Sequence, residues 1–270
     1  MSFELELTRA IELARTTGVE VMALQRGALH VEMKPGDEPV TIADRLASER
    51  IVAGLAASFP ADPIISEELP PAPGALGAPR LWLVDPIDGT KDFIRGEAGY
   101  SVMIGLVVAG VPTVGVVYQP AIDRLFYATP AGAFMTYQGQ TTRLAVSPVA
   151  VAAEARLVAS KSHRGADIDR VKQQLGISDE LSLGSVGLKL CVIAAGQREL
   201  YVNPAAKTKA WDTCAPEAIL VAAGGRLSDL FGRPIRYVAE LGHHHGLVGS
   251  NGRIHDEVVA KLSPLFAHLA

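Results

Sequence analysis

Leu81-Trp82-Leu83-Val84-Asp85-Pro86-Ile87-Asp88-Gly89-Thr90 carries an apolar run straight into two aspartates, with a proline between them and a Gly-Thr pair after them. Residues 81–84 read as a short buried strand, too brief for a helix. Pro86 fixes one backbone angle and removes a donor, which leaves a stiff turn at the strand's end. Such a turn is able to point both carboxylates and the Ile87 carbonyl into one space. Ionised carboxylates held close together repel, which raises a pKa unless a cation lies between them. Hard oxygen donors select Mg²⁺ or Ca²⁺ over zinc. Asp85 and Asp88 as plain turn caps explain the same residues, because Asp and Gly are ordinary turn formers.

Outward from this turn the chain alternates recognisable patterns. Residues 4–29 read as an amphipathic helix with Leu7, Ile11 and Ala14 on one face. A second helix follows Thr41, where Ala43, Ala47, Ile51 and Leu55 recur at four-residue spacing. Ile64-Ile65 forms a short strand, separated from residues 81–84 by a Pro/Gly-rich loop at 70–79. Residues 101–108 and 113–119 make a hairpin turned at Ala109-Gly110, and 124–128 another strand. After Ser147-Pro148 short strands at 157–160 and 199–202 alternate with helices at 167–175, 187–195, 212–223 and 254–269. Gly196 and Gly224-Gly225 punctuate two of those helices. The change of pattern divides the chain into an α+β half, 1–147, and an α/β half, 148–270.

Composition narrows the function classes. With 270 residues, 49% of them hydrophobic, the chain buries a large core. A net charge of -4 and the absence of any Lys/Arg-rich run argue against a nucleic-acid polymer or anionic membrane as partner. Glu4, Glu6, Arg9 and Glu12 interrupt the N-terminus, so no secretory signal is expected there. Glycines and Pro112 break the apolar stretch 102–117, so no transmembrane segment is expected. Two cysteines, Cys191 and Cys214, form neither a disulfide framework nor a zinc site, and a cytoplasmic location is expected.

Other acidic residues are ambiguous by themselves. Glu67-Glu68 follows Ile64-Ile65-Ser66 and reads as a solvated loop. Asp212 sits where a helix N-cap is expected, with Pro216 in the first turn, so capping explains it completely. Asp44 is equally ambiguous within its own helix.

Taken in order, however, Val40-Thr41-Ile42-Ala43-Asp44, Glu67-Glu68, Asp85-Pro86-Ile87-Asp88-Gly89-Thr90, Trp211-Asp212 and Ala222-Ala223-Gly224-Gly225 resemble the signatures of the lithium-sensitive, magnesium-dependent phosphatases. That superfamily includes inositol monophosphatases and bisphosphate nucleotidases, and the similarity spans nearly the whole chain. The resemblance implies an α/β fold, a layered α-β-α-β-α sandwich of the inositol monophosphatase/fructose-1,6-bisphosphatase type. It implies that Glu67, Asp85, the Ile87 carbonyl, Asp88 and Asp212 bind two or three Mg²⁺ ions, and that Asp44 and Thr90 position and activate the attacking water. Two-metal hydrolysis in general gives a more acidic water and a stabilised leaving oxygen. Backbone N–H groups at Gly89 and Thr90 would then receive phosphate oxygens.

Within the superfamily several residues resemble the bisphosphate nucleotidases more than the inositol phosphatases. Lys91-Asp92-Phe93 stands where inositol phosphatases usually have Thr-Asn-Phe. Ala159-Ser160-Lys161-Ser162-His163-Arg164 is similar to a nucleotidase segment, as is Trp211-Asp212-Thr213-Cys214-Ala215-Pro216-Glu217. Ala205 replaces a sugar-binding glutamate. The likeness implies 3'-phosphoadenosine 5'-phosphate as substrate, with Ser160 and His163 contacting the nucleotide. It gives the other phosphate to Lys189 and counts Ser185 among the substrate contacts. Gly184-Ser185-Val186-Gly187-Leu188-Lys189 departs from the family's commoner arrangement. Read alone, Lys189 is an exposed helix lysine, His163 a surface histidine, Cys214 buried filler, and His243-His244-His245 a loop.

The rivals are an inositol-1-phosphate or fructose-1,6-bisphosphate phosphatase, and a non-catalytic module sensing Mg²⁺ or nucleotide. An aspartyl-nucleophile phosphatase is disfavoured because the aspartates stand three apart rather than two, and no P-loop motif is present. A homodimer is compatible with this reading.

Overall fold

The computed structural model of the protein describes residues 2–27, 29–34, 38–162, 164–237 and 239–270. Helices α1 (Glu4–Gln25) and α2 (Ile42–Ser58) flank a small antiparallel hairpin, β1 (Val31–Lys34) with β2 (Glu38–Thr41). α1 stops short of the expected residue 29; Gly27, a poor helix former, stands just past its Arg26 C-cap.

The large sheet has seven strands in sequence order: β3 (Ile64–Ser66), β4 (Arg80–Asp88), β5 (Ser101–Val108), β6 (Val111–Gln119), β7 (Arg124–Thr129), β8 (Gly132–Tyr137) and β9 (Gln140–Arg143). β3 runs parallel to β4, and every later pair is antiparallel. Strand β4 extends four residues beyond the expected 81–84. Its ladder with β5 shifts register between Asp85 and Asp88, and β3 pairs only as far as Val84. Pro86 therefore falls at a bulge where no neighbour needs its missing N–H. The β5–β6 turn uses Ala109 and Gly110, both at positive φ, which starts β6 earlier than expected.

The second sheet has five strands in the order β11-β10-β12-β14-β13. They are β10 (Leu157–Ser160), β11 (Glu180–Leu183), β12 (Leu200–Asn203), β13 (Arg226–Ser228) and β14 (Leu247–Ser250). Helices α5 (Val186–Ala194) and α6 (Ala210–Ala222) lie between the two sheets, while α4 (Ala166–Leu175) and α7 (His255–Leu262) cover the outer face of the smaller one. The expected single helix over 254–269 is instead α7 followed by a 3-10 segment, Ser263–Leu269, because Pro264 lacks the N–H that would continue it.

With α1 and α2 on the remaining face of the large sheet, the layers run α-β-α-β-α. Leu55, Trp82, Ile104 and Val116 form the core under α1 and α2, and Leu190, Ile219 and Leu220 part of the core between the sheets. α6 approaches the large sheet closely because β5 and β6 present glycines to it. A Cβ on Gly105 would sit 2.6 Å from Cys214 Sγ, and one on Gly115 2.1 Å from the Ala215 carbonyl oxygen.

Candidate active site

Five acidic side chains reach one region from four different elements. Asp44 is on α2, Glu67 follows β3, Asp85 and Asp88 end β4, and Asp212 is in the first turn of α6. Asp85 is the focus. Burial pushes its carboxyl well above the ordinary range, and the charges of Glu67, Asp88, Asp212 and Asp44 push it further. Glu67 is raised to about 7, mainly by burial and against the pull of Lys34. Asp88 and Asp44 are also raised, again mainly by burial.

Each carboxylate is held by its own local partners. Asp44 Oδ2 accepts from the Thr41 N–H at 2.8 Å and the Thr41 hydroxyl at 2.6 Å, closing a capping box on α2. Its Oδ1 lies 3.2 Å from the Thr90 hydroxyl, which is also 3.1 Å from the Ile87 carbonyl. Asp85 Oδ1 accepts from the Ile87 N–H at 3.1 Å, tightening the bulge into an Asx turn. Asp88 Oδ2 accepts from the Gly187 N–H at 2.8 Å and from the Ser185 hydroxyl, itself 2.9 Å from Ser101. Asp212 is not the N-cap expected from sequence. Lys209 caps α6, and Asp212 sits three residues in, accepting the Lys209 N–H at 2.8 Å.

Gly89 turns the chain from β4 into the short helix α3 (Thr90–Ile94) at φ 97°. A Cβ there would stand 2.9 Å from the Gly99 carbonyl oxygen. Only glycine adopts this conformation freely, so the turn that follows the acids is specified by one residue.

The donor chemistry suits a hard divalent cation: carboxylates and the Ile87 carbonyl offer oxygen only, and the buried acids lack enough positive charge. Among the described residues, no three His, Cys, Asp or Glu side chains already stand together as a ready coordination cage. Asp44, Asp88 and Asp212 are turned onto N–H or hydroxyl donors, and the Lys34 ammonium lies 3.0 Å from Glu67 while also pairing with Glu68.

Lys34 is absent from the sequence reading. It ends β1, about thirty residues before the acids it meets, and nothing in Val31-Glu32-Met33-Lys34 marks that contact.

The residues expected to meet the substrate are more dispersed. Ser185 joins the acidic region directly through Asp88. Ser160 ends β10, and its neighbours Lys161 and Ser162 reach Glu97 and Arg95, just past α3. His163 lies outside the described residues. Lys189 differs most from expectation, being buried at 1% exposure rather than exposed. Its ammonium donates to the Gly184 carbonyl at 2.6 Å and the Leu183 carbonyl at 3.3 Å. Burial lowers it to about 8, with Asp88 and Asp92 opposing. Ala205 is an exposed loop residue, and Cys214 is fully buried on α6. His243 is buried in a loop.

Comparison with known proteins agrees with this architecture. A family model described as the inositol monophosphatase family matches residues 4–265. The 3'(2'),5'-bisphosphate nucleotidase CysQ of Salmonella typhimurium is 38% identical over 234 residues, covering 86% of this chain and 93% of the relative. A histidinol-phosphatase of Mycobacterium tuberculosis is 35% identical over 252 residues, covering 90% and 93% respectively. Among solved structures, an IMPase from Thermotoga maritima superposes with a TM-score of 0.81 at 29% identity, covering 98% of this chain and 99% of that one. Among the described residues, no helix is long and apolar enough to cross a membrane.

Proposed function

The chain belongs to the inositol monophosphatase family and is a phosphoric monoester hydrolase, and on that premise we propose that it is a Mg²⁺-dependent 3'(2'),5'-bisphosphate nucleotidase. The supporting observation is the buried Asp85 carboxyl, on which the charges of Glu67, Asp88, Asp212 and Asp44 converge. Glu67, Asp85, the Ile87 carbonyl, Asp88 and Asp212 would hold the cations. When bound, divalent cations supply Lewis acidity and a lowered pKa for water.

The remaining work falls to the chain itself. The Thr90 hydroxyl, poised between Asp44 and the Ile87 carbonyl, orients the attacking water, and Asp44 accepts its proton. Burial raises the Asp44 carboxyl, which makes it a stronger proton acceptor than an exposed aspartate. Gly89 and Thr90 offer backbone N–H groups to the phosphoryl oxygens. Ser160, His163 and Ser185 serve the nucleotide. Lys189, whose ammonium already holds two carbonyls, acts as a buried countercharge to Asp88. The 38% identity to a bisphosphate nucleotidase favours that substrate class over inositol phosphate. A second reading, hydrolysis of histidinol phosphate, is favoured by the 35% identical relative.

The deciding experiment measures phosphate release, with and without Mg²⁺, from 3'-phosphoadenosine 5'-phosphate, inositol 1-phosphate, fructose 1,6-bisphosphate and histidinol phosphate. The expected result is the highest kcat/KM on the bisphosphate nucleotide and none without the metal. A higher kcat/KM on any of the other three overturns the substrate, and undiminished activity in chelator overturns the metal.

A further inference from the structure

Behind the first turn of α6 lies a second polar cluster that the proposed chemistry leaves unused. Tyr237 is wholly buried, and its Oη lies 3.1 Å from Thr213 Oγ1 and in contact with Glu217 Oε2. His243 Nε2 lies 2.8 Å from the same Thr213 hydroxyl. Oη has one hydrogen to share between Glu217 and Thr213, and the Thr213 hydroxyl lies between the Tyr237 hydroxyl and the His243 ring. The hydroxyls thus link α6 to Tyr237 and His243.

The backbone of residues 241–243 grips the same turn. The Ala210 N–H donates to the Leu241 carbonyl at 2.7 Å, and the His243 N–H to the Thr208 carbonyl at 2.8 Å, with Lys209 bridged to Gly242 between them. Lys209 is also the residue whose N–H fixes Asp212 Oδ2. Asp212 is therefore oriented by a peptide that is clamped from outside the acidic region. Cys214 and Ala210 surround Tyr237 with apolar contacts, so solvent does not readily replace a lost hydroxyl partner.

We infer that Tyr237 and residues 239–243 form a strap whose Tyr237 and His243 are positioning residues: by holding Thr213 and the 208–210 backbone they set the Asp212 carboxylate for metal binding. The inference rests on the reading of Asp212 as a metal ligand. It adds a place where affinity for the cation is set by groups that never touch it, as outer hydrogen bonds do at many metal sites.

The test compares Tyr237→Phe, Thr213→Val and Thr213→Ser with the unaltered protein by two readouts. Calorimetry gives the Mg²⁺ dissociation constant of each protein at rest, without substrate. Hydrogen exchange gives the protection of the Lys209 and Ala210 amides. Tyr237→Phe and Thr213→Val are expected to weaken Mg²⁺ by about 10-fold and to speed exchange at both amides, while Thr213→Ser, which keeps the hydroxyl, restores both. Variants with a lower melting point but unaltered Mg²⁺ affinity and amide protection would show mere packing and overturn the strap. If Thr213→Val does not fold, Tyr237→Phe set against Thr213→Ser decides alone. Should the unaltered protein bind no Mg²⁺, the metal reading of Asp212 fails. The amide protection then still reports whether the strap holds the turn.

Discussion

At the scale of single residues, the acids of the site are more basic than acids in water. Glu67 is raised to about 7, and Asp85 well above its ordinary range, in both cases chiefly through burial. A protonated carboxyl is a poor ligand, so on the proposed reading protons and cations would compete for these oxygens. The half-saturating Mg²⁺ concentration is therefore expected to fall as pH rises through about 7, measured by calorimetry or by activity titrations. A concentration independent of pH would remove Glu67 and Asp85 from the ligand set. Asp88 offers a cleaner substitution. An asparagine carbonyl still accepts from the Ser185 hydroxyl and the Gly187 N–H, so Asp88→Asn keeps the local contacts while losing the charge. Turnover is expected to drop by orders of magnitude with the circular-dichroism spectrum unchanged. A fully active variant would refute a metal role for this residue.

At the scale of elements, the turn between β4 and α3 and the seat of α6 each depend on glycine. Gly89→Ala forces a Cβ into the left-handed region, 2.9 Å from a carbonyl oxygen, and is expected to lower stability by about 1–3 kcal/mol and to displace Thr90, measured by denaturation and kcat. Wild-type stability and kcat would show that the turn tolerates a side chain. Gly105→Ala drives a methyl against Cys214 and the Ala215 N–H at 2.8 Å, so α6 must retreat from β5 and carry Asp212 with it. Both stability and Mg²⁺ affinity are expected to fall together, and a loss of stability alone would uncouple that seat from the site. The sequence announces these elements unevenly. Residues 81–84 and the 101–119 hairpin are readable because continuous apolar runs and a left-handed turn leave few alternatives. Strand β9, Gln140-Thr141-Thr142-Arg143, is exposed along its whole length and exists only because β8 pairs with it, so no alternation reveals it. Lys189 illustrates the same limit at a charged residue. Its burial depends on two carbonyls turned inward at Leu183 and Gly184, a backbone geometry that no residue pattern encodes.

At the scale of the molecule, the layers bring together acids that are remote in sequence, so cation binding by them would be coupled to the stability of the whole stack. Asp44 comes from the outer helical layer, Asp85 and Asp88 from the large sheet, and Asp212 from the helices between the sheets. Two sets of buried groups give this stack opposing pH dependences. Glu67, Asp85, Asp88 and Asp44 are raised above their ordinary values, so their stabilising contribution is complete below about 4 and is lost as pH climbs through the raised values, about 7 for Glu67. Glu217, raised to about 7 mainly by burial, acts in the same direction. His243 and His255 are lowered from 6.5 to about 4 by burial, so their contribution is present above 6.5 and disappears as pH falls toward 4. The metal-free protein is thus expected to be most stable on the acid side of neutrality, with a melting point that drops between about pH 6 and about pH 8. A cation that binds only the folded state removes the penalty of the ionised acids, so Mg²⁺ should raise the melting point more at the higher pH than at the lower. Glu217 lies outside the acidic region, and Glu217→Gln should therefore flatten the metal-free slope. An increment equal at both pH values would mean that the buried acids of β4 and their neighbours do not receive the cation.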